Sequence, residues 1–186
     1  MKRLLDIFLS LLALIILFIP CLIICFLITL DSKGPIFYIT KRVGKNKKIF
    51  LMYKFRTMDI KAPVVNSNDL KEANTYITKF GKKLRKYSID EIPQIINIII
   101  GDMSFVGPRP GLENQLDLIE MRDLHEIHNI KPGLTGLAQI NGRDNLSIEK
   151  KVEYDKFYRN NQSITLDLKI LIRTLFVVLN STDVRH

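Results

Sequence analysis

Tryptophan is absent from this 186-residue chain, cysteine occurs twice and histidine three times. The two cysteines, Cys21 and Cys25, lie four apart inside an apolar run. That helical spacing lines them along one face rather than joining them, so no disulfide framework is implied and a reducing compartment suits the chain. Cys21 is no nucleophile either, because apolar surroundings raise a thiol's pKa and no base neighbours it. His125 and His128 (DLHEIH, read as part of a helix) have no further Cys or His beside them, which makes a poor zinc site. There is no G-x-x-x-x-G-K-[ST] loop, no G-x-G-x-x-G fingerprint and no D-x-D pair. Any nucleotide site must therefore be of another kind. Negative charge is also scarce: 19 Asp+Glu face 28 Lys+Arg, a net +9 that favours anionic partners such as lipid headgroups, phosphorylated substrates or nucleic acid.

What the chain has in plenty is one long apolar run. From Ile7 to Leu30 no residue is charged, a stretch longer than the roughly 20 residues that cross a bilayer core. It is too long for a signal peptide, and no small-residue cleavage site follows it before Asp31. Lys2 and Arg3 precede the run while Lys33, Lys41, Arg42, Lys45, Lys47 and Lys48 follow it, so a straight span leaves positive charge on both sides of the membrane. Pro20 removes one helical hydrogen bond and predicts a bend or break. Charge and proline alone leave two arrangements open, a kinked span and a re-entrant hairpin with both ends on the cytoplasmic face, where Asp6 would lie close to Lys2 and Arg3.

Beyond the run, Gly34-Pro35 predicts a turn, and Ile36–Ile39 and Ile49–Phe55 predict two short strands around the basic turn Lys41–Lys48. Ile60–Asn74 is polar with Pro and Asn, a loop of a length that suits a lid, leading into a helix near Lys71. Tyr76–Tyr87 carries Ile77, Phe80 and Leu84 at helical spacing among five basic residues and predicts a basic amphipathic helix. Lys131–Arg143 (KPGLTGLAQINGR) predicts a series of turns whose small residues let backbone approach a ligand. Leu168, Leu171, Ile172, Leu175, Phe176 and Leu179 predict a helix whose apolar arc is wide enough for core or lipid interface, with the core expected.

The stretch Ser88–Gly111 (SIDEIPQIINIIIGDMSFVGPRPG) sets two carboxylates, Asp90 and Glu91, at the head of an apolar run. Ser88-Ile89-Asp90-Glu91 fits the S-x-x-E capping box, and Pro93 falls where a first helical turn tolerates it. A helix N-terminus would favour the ionised carboxylate by roughly 0.3 to 1 kcal/mol, making Asp90 an anion available as a nucleophile. Attack on a phosphate needs a divalent cation and cationic clamps, for which Lys54, Arg56, Arg85 and Arg109 are the supply.

These residues stand in an ordered series: Lys2-Arg3 and Asp6 before a proline-broken membrane segment, Tyr53-Lys54-Phe55-Arg56-Thr57-Met58, Arg85 ahead of Asp90-Glu91, Gly101–Pro110 (GDMSFVGPRP), Lys131–Gly136 (KPGLTG), and Asn141-Gly142-Arg143. The series resembles, nearly end to end, the bacterial sugar transferase family of monotopic phosphoglycosyl transferases. The resemblance implies transfer of a phosphosugar from a UDP-sugar to polyprenol (undecaprenyl) phosphate, with Mg²⁺ and a covalent intermediate on the dyad aspartate, Asp90. It implies that Glu91 helps place the metal or manages a proton, and that Asp90 and Glu91 are the metal residues. Lys54, Arg56, Arg85, Arg109 and Asp167 would face substrate, Arg109 through the nucleotide. It also favours the re-entrant hairpin. Two departures stand out: Ile19-Pro20 replaces the family's frequent Ser-Pro, and Leu137 stands where an aromatic often follows Thr-Gly.

The resulting expectation is a mostly helical α+β protein of the bacterial inner membrane. Residues 1–32 form a membrane-inserted, Pro-broken helix; residues 33–186 form a cytosolic catalytic domain with amphipathic interfacial helices and a short hairpin. Its partners would be the UDP-sugar, the lipid phosphate and the membrane, with no nucleic acid; self-association stays open. Two rivals make different predictions. A membrane-tethered basic binding protein would hold DNA or RNA after Asp90→Asn. A non-catalytic scaffold of a polysaccharide-assembly complex would release no UMP.

Overall fold

A computed structural model describes residues 1–62 and 74–180. The loop tip and the helix start expected near Lys71 lie outside the described residues. Helix α1 (Lys2–Asp31) is 30 residues long, about 45 Å at 1.5 Å per residue, and is uninterrupted at Pro20. The expected break is therefore absent as an interruption of helix, although the proline still leaves the Ile16 carbonyl without its usual partner. Only Asp6, Ser10 and Ile28 of α1 are buried, and the helix is long and apolar enough to cross a membrane. Its amino end is tied down by charge: Lys2 binds Asp167, Arg3 donates to the Ile98 and Ile99 carbonyls, and Asp6 accepts from Ser104 Oγ and the Phe105 N–H. Its carboxyl end packs by hydrophobic contact, Ile28 with Phe55 and Leu84, with Ile24 and both cysteines against them.

The expected hairpin forms. Strands β1 (Phe37–Val43) and β2 (Ile49–Phe55) pair antiparallel, Tyr38 opposite Lys54 and Arg42 opposite Phe50, with β1 running four residues past the predicted end. Side chains alternate across a strand, so Tyr38, Thr40 and Arg42 share one face with Phe50, Met52 and Lys54. Phe50 and Met52 on that face close a core with Ile98 and Met103.

Helix α2 (Lys79–Lys86) is shorter than predicted because Thr78 takes the N-cap, its Oγ1 accepting from the Gly81 N–H at 3.0 Å. Helix α3 (Gln94–Ile100) is hung from β2 by one side chain. Buried Asn97 accepts from the Tyr53 N–H at 3.1 Å and donates to the Leu51 carbonyl at 2.7 Å, acting as a short extra strand edge. Gly101, at φ 106, ends the helix in the left-handed conformation that lacks a penalty only for glycine.

Lys131–Arg143 is more ordered than a series of turns. Strand β4 (Gly133–Thr135) pairs parallel with β3 (Ser104–Val106), and a single-turn helix, α5 (Leu137–Ile140), follows it. The glycines there admit protein backbone: a Cβ on Gly136 would collide with the Gly107 carbonyl oxygen, and one on Gly133 with the Gly107 nitrogen.

Two helices are longer than, or absent from, what the sequence predicts: DLHEIH marks only the end of one and nothing marks the other. These are α4 (Leu116–Leu124), which ends before His125 and leaves His128 in the next turn, and α6 (Ile148–Asn160). A buried ion pair joins them: Arg122 donates to Asp155 through Nη2 at 2.6 Å and Nε at 3.0 Å. The last helix, α7 (Ile164–Asn180), buries Asp167 and Ile170 but leaves Leu168, Ile172, Leu175, Phe176 and Leu179 exposed, so one apolar face meets the core and a second does not.

Candidate active site

The carboxylate pair sits in a single 3-10 turn, Ile89–Glu91, wedged between α2 and α3. The capping box does not form. Ser88 lies in the left-handed region at φ 53 and caps nothing; its hydroxyl accepts from both terminal nitrogens of Arg143, at 3.2 and 3.3 Å. Glu91 does not reach back to a backbone donor but turns toward cations. Its Oε1 accepts from Lys54 Nζ at 2.7 Å and from Arg109 Nη2 at 2.8 Å. Asp90 is left without a side-chain hydrogen bond among the described residues, its Oδ2 3.9 Å from Lys54 Nζ.

This arrangement separates the two carboxyls. Burial alone would raise Glu91, but Arg109 and Lys54 overcome it and hold it far below the usual carboxylate range. Asp90 is pushed up, by burial first and by Glu91 as well, against the opposing pull of Lys54, Arg85 and Arg109. The helix-terminus effect expected to favour its anion is thus outweighed by desolvation. Glu91 is a fixed anion that organises two cations; Asp90 is the buried, uncommitted one.

Each expected site residue has a definite place. Lys54, the penultimate residue of β2, reaches the dyad from the end of the strand. Arg85 on α2 donates Nε to Thr57 Oγ1 at 2.8 Å and acts electrostatically on Asp90. Arg109 stands between Pro108 and Pro110, and its carbonyl is held by Arg122 Nη1 at 2.8 Å. Arg56 lies elsewhere: buried, it donates to the Ser32 and Lys33 carbonyls and Ser32 Oγ, fixing the chain that leaves α1. Asp167 is also taken up structurally. It accepts from Lys2 at 2.5 Å and from the Tyr158 hydroxyl at 2.6 Å, and Lys2 in turn donates to that hydroxyl at 3.0 Å.

Three residues near the site had no role in the sequence reading. Arg143 is visible in the sequence only as part of Asn-Gly-Arg, Arg42 as one charge in a basic turn, and Arg122 directly precedes the DLHEIH stretch with nothing to single it out. The only signal that could have found Arg42 was its place on the same strand face as Tyr38, across from Lys54.

No group of three or more His, Cys, Asp or Glu side chains converges among the described residues. A hard divalent cation such as Mg²⁺ does not need one, since it keeps waters and is commonly bound by one or two carboxylates plus substrate phosphates. Asp90, free of short hydrogen bonds, fits that donor set; Glu91 fits it by exchanging Lys54.

A sequence profile described as bacterial sugar transferase matches residues 1–181. Among similar proteins, an uncharacterized sugar transferase EpsL of Bacillus subtilis is 43% identical over 86% of this chain and 77% of its own length. A UDP-glucose:undecaprenyl-phosphate glucose-1-phosphate transferase of Klebsiella pneumoniae is 42% identical over 94% of this chain but 39% of its own length. The exopolysaccharide production protein ExoY of Sinorhizobium fredii is 36% identical over 94% of this chain and 83% of its own length. The chain thus spans most of the shorter relatives and about four tenths of the longer one.

Proposed function

The chain belongs to the bacterial sugar transferase family, and on that premise we propose that it transfers a sugar 1-phosphate from a UDP-sugar to undecaprenyl phosphate, an early membrane step of polysaccharide synthesis. The observation that carries this reading is the dyad itself: a buried carboxylate with no side-chain hydrogen bond among the described residues, set among Lys54, Arg85 and Arg109, beside a second carboxylate that already neutralises two of the cations.

In the first half-reaction an Asp90 carboxylate oxygen forms a bond to the β-phosphorus of the donor as the bond to the UMP oxygen breaks, and UMP departs with the electron pair. In the second, a phosphate oxygen of the lipid bonds to the same phosphorus, the acyl-phosphate bond breaks, and Asp90 returns as a carboxylate with polyprenyl-diphosphate-sugar released. Arg85 and Lys54 offset charge on the phosphoryl oxygens during both displacements. Arg109 engages the nucleotide side, stiffened by its flanking prolines and by Arg122 on its carbonyl. Desolvation makes Asp90 a stronger base and nucleophile than an exposed carboxylate, while Lys54, Arg85 and Arg109 oppose that rise and favour the ionised form that attacks. A Mg²⁺ held by Asp90, with Glu91 as second ligand, would supply Lewis-acid charge neutralisation at the diphosphate.

The same proposal places residues 1–32 in the cytoplasmic leaflet of the inner membrane as a re-entrant hairpin bent near Pro20, and residues 33 onward on the cytoplasmic face. It is supported by α1 docking at both ends onto one body, Lys2, Arg3 and Asp6 at one end and Ile28 at the other, while the residues from Leu11 to Ile19 that face outward are apolar. The exposed apolar faces of α1 and α7 would then share the lipid boundary.

The test is purified protein in lipid nanodiscs with undecaprenyl phosphate, Mg²⁺ and a panel of UDP-sugars. UMP release that Asp90→Asn abolishes, with a phosphosugar mass on Asp90 when donor is given alone, supports the proposal. No UMP from any donor would reject the activity. Product formed without a covalent mass on Asp90 would reject the two-step route. A cysteine placed before Lys2 should be labelled only from the cytoplasm; labelling from outside overturns the hairpin.

A further inference from the structure

The cations around the dyad fall into two groups. Lys54 and Arg109 bind Glu91. Arg42 is different: among the described residues no carboxylate lies within ion-pair distance of it, and its one side-chain hydrogen bond is a long 3.4 Å contact from Nη1 to the Pro110 carbonyl. Its Nε is buried with no partner. Burial, with Arg109 beside it, holds this guanidinium down to about 10, against the weaker support of Tyr38 and Glu91. Arg42 as a whole is half-buried, and the buried Nε donor is costly to leave unused unless an anion arrives to meet it.

Position says which anion. Arg42 lies on the hairpin face that carries Lys54, and the next residue, Val43, donates its N–H to the Gly111 carbonyl at 3.0 Å, tying this end of β1 to the loop that presents Arg109. The groups acting on Arg42 are Arg109, Tyr38 and Glu91, whereas those acting on Asp90 are Lys54, Glu91, Arg85 and Arg109. Arg85 and Arg42 share Tyr38 as a neighbour, but Arg85 acts on Asp90 whereas Arg42 does not, which sets Arg42 on the Glu91–Arg109 side, away from the attacking carboxylate. Resting on the functional reading above, we propose that Arg42 and Arg109 together form the subsite for the phosphate that is not attacked, the one that leaves on the nucleoside. Arg42 then meets its anion only when nucleotide is bound.

The test uses full-length protein in lipid nanodiscs with Mg²⁺, and UMP and undecaprenyl phosphate as probes. In Arg42→Ala the UMP dissociation constant, read by titration calorimetry and as product inhibition, should rise about tenfold to a hundredfold, the range of a charge-assisted hydrogen bond. Arg42→Lys should recover part of this loss, and the KM for undecaprenyl phosphate should move less than about twofold. Arg42→Gln, which keeps the aliphatic stem and a donor near the Nε position without charge, serves as the second variant should the alanine form fold poorly, and it too should bind UMP at least tenfold more weakly. Unchanged UMP binding in a folded variant, or a rise confined to the KM for the lipid phosphate, overturns the assignment. Wild-type protein that binds no UMP would instead overturn the functional reading on which it rests.

Discussion

Removing Asp155 should unfasten the Arg109 loop from a distance. Arg122 and Asp155 are almost wholly buried, with side-chain exposures of 5% and 2%, and Arg122 uses its remaining terminal nitrogen on the Arg109 carbonyl at 2.8 Å. Deleting one partner of such a pair leaves an uncompensated buried charge and costs about 3 to 5 kcal/mol. For a protein of this size each kcal/mol moves the thermal midpoint by about 2 to 4 °C, so Asp155→Ala should lower it by about 6 to 20 °C. Replacing both partners by apolar residues, Arg122→Met with Asp155→Leu, should restore most of that loss, because a buried ion pair has little net worth over a well-packed apolar pair. It should not restore function. The Arg109 carbonyl still lacks its donor, and UMP release should stay about tenfold down. Midpoints from intrinsic tyrosine fluorescence in nanodiscs, with UMP release on the same samples, decide the matter. A midpoint shift under about 2 °C for Asp155→Ala, or a double variant that turns over like wild type, would refute the reasoning.

The acid limb of the kcat/KM profile should lie above the ordinary aspartate value of 3.8, because a raised Asp90 is protonated, and so loses its nucleophile, earlier as pH falls. Lys54→Met should move that limb further up, and a limb at or below 3.8 counts against Asp90 as the nucleophile. Folding stability should respond oppositely at the two carboxyls. A carboxyl raised in the folded state costs stability at pH values above its unfolded value, so Asp90→Asn should raise the thermal midpoint at pH 7 while abolishing turnover. Glu91 is depressed and contributes stability above its unfolded value that is lost only as pH falls through the folded one, so Glu91→Gln at pH 7 should cost about 1.5 to 3 kcal/mol by chemical denaturation. Gly136→Ala forces a methyl onto the Gly107 carbonyl and should cost about 1 to 3 kcal/mol; wild-type stability in that variant would mean that α5 shifts freely.

The elements legible in the sequence were those whose pattern is local. The apolar run gave α1, alternation gave the hairpin, and the 3.6-residue repeat of Leu168 to Leu179 gave α7. The parallel β3–β4 pair was hidden because three residues per strand show no alternation and their partners lie far apart in sequence. Helix α6 and most of α4, beyond its overlap with DLHEIH, were hidden because charge is buried within them: Arg122 and Asp155 occupy positions that a pattern of apolar residues would have marked. At the site, the dyad was found by its motif while its local geometry was misread. A capping box was expected at Ser88, but Arg143, 55 positions away, takes the serine hydroxyl, and Lys54 and Arg109 take the glutamate. Arg56 and Asp167 carry charges that the sequence could only connect with a charged substrate. Tertiary contacts connect them instead with the Ser32–Lys33 carbonyls and with Lys2.

The bond from Lys2 to Asp167 joins positions 165 residues apart, and Asp6 reaches Ser104 across 98. During synthesis the amino end of α1 therefore emerges long before anything it docks on exists. Its contacts accrue in order, with Phe55 and Leu84 for the carboxyl end and then Ile98, Ile99, Ser104 and Phe105 for the amino end, and the last tie, Lys2 to Asp167, waits until α7 leaves the ribosome. A chain cut short before Ile164 should still enter the bilayer and seat Arg3 and Asp6, but with Lys2 deprived of its carboxylate and that end held less firmly.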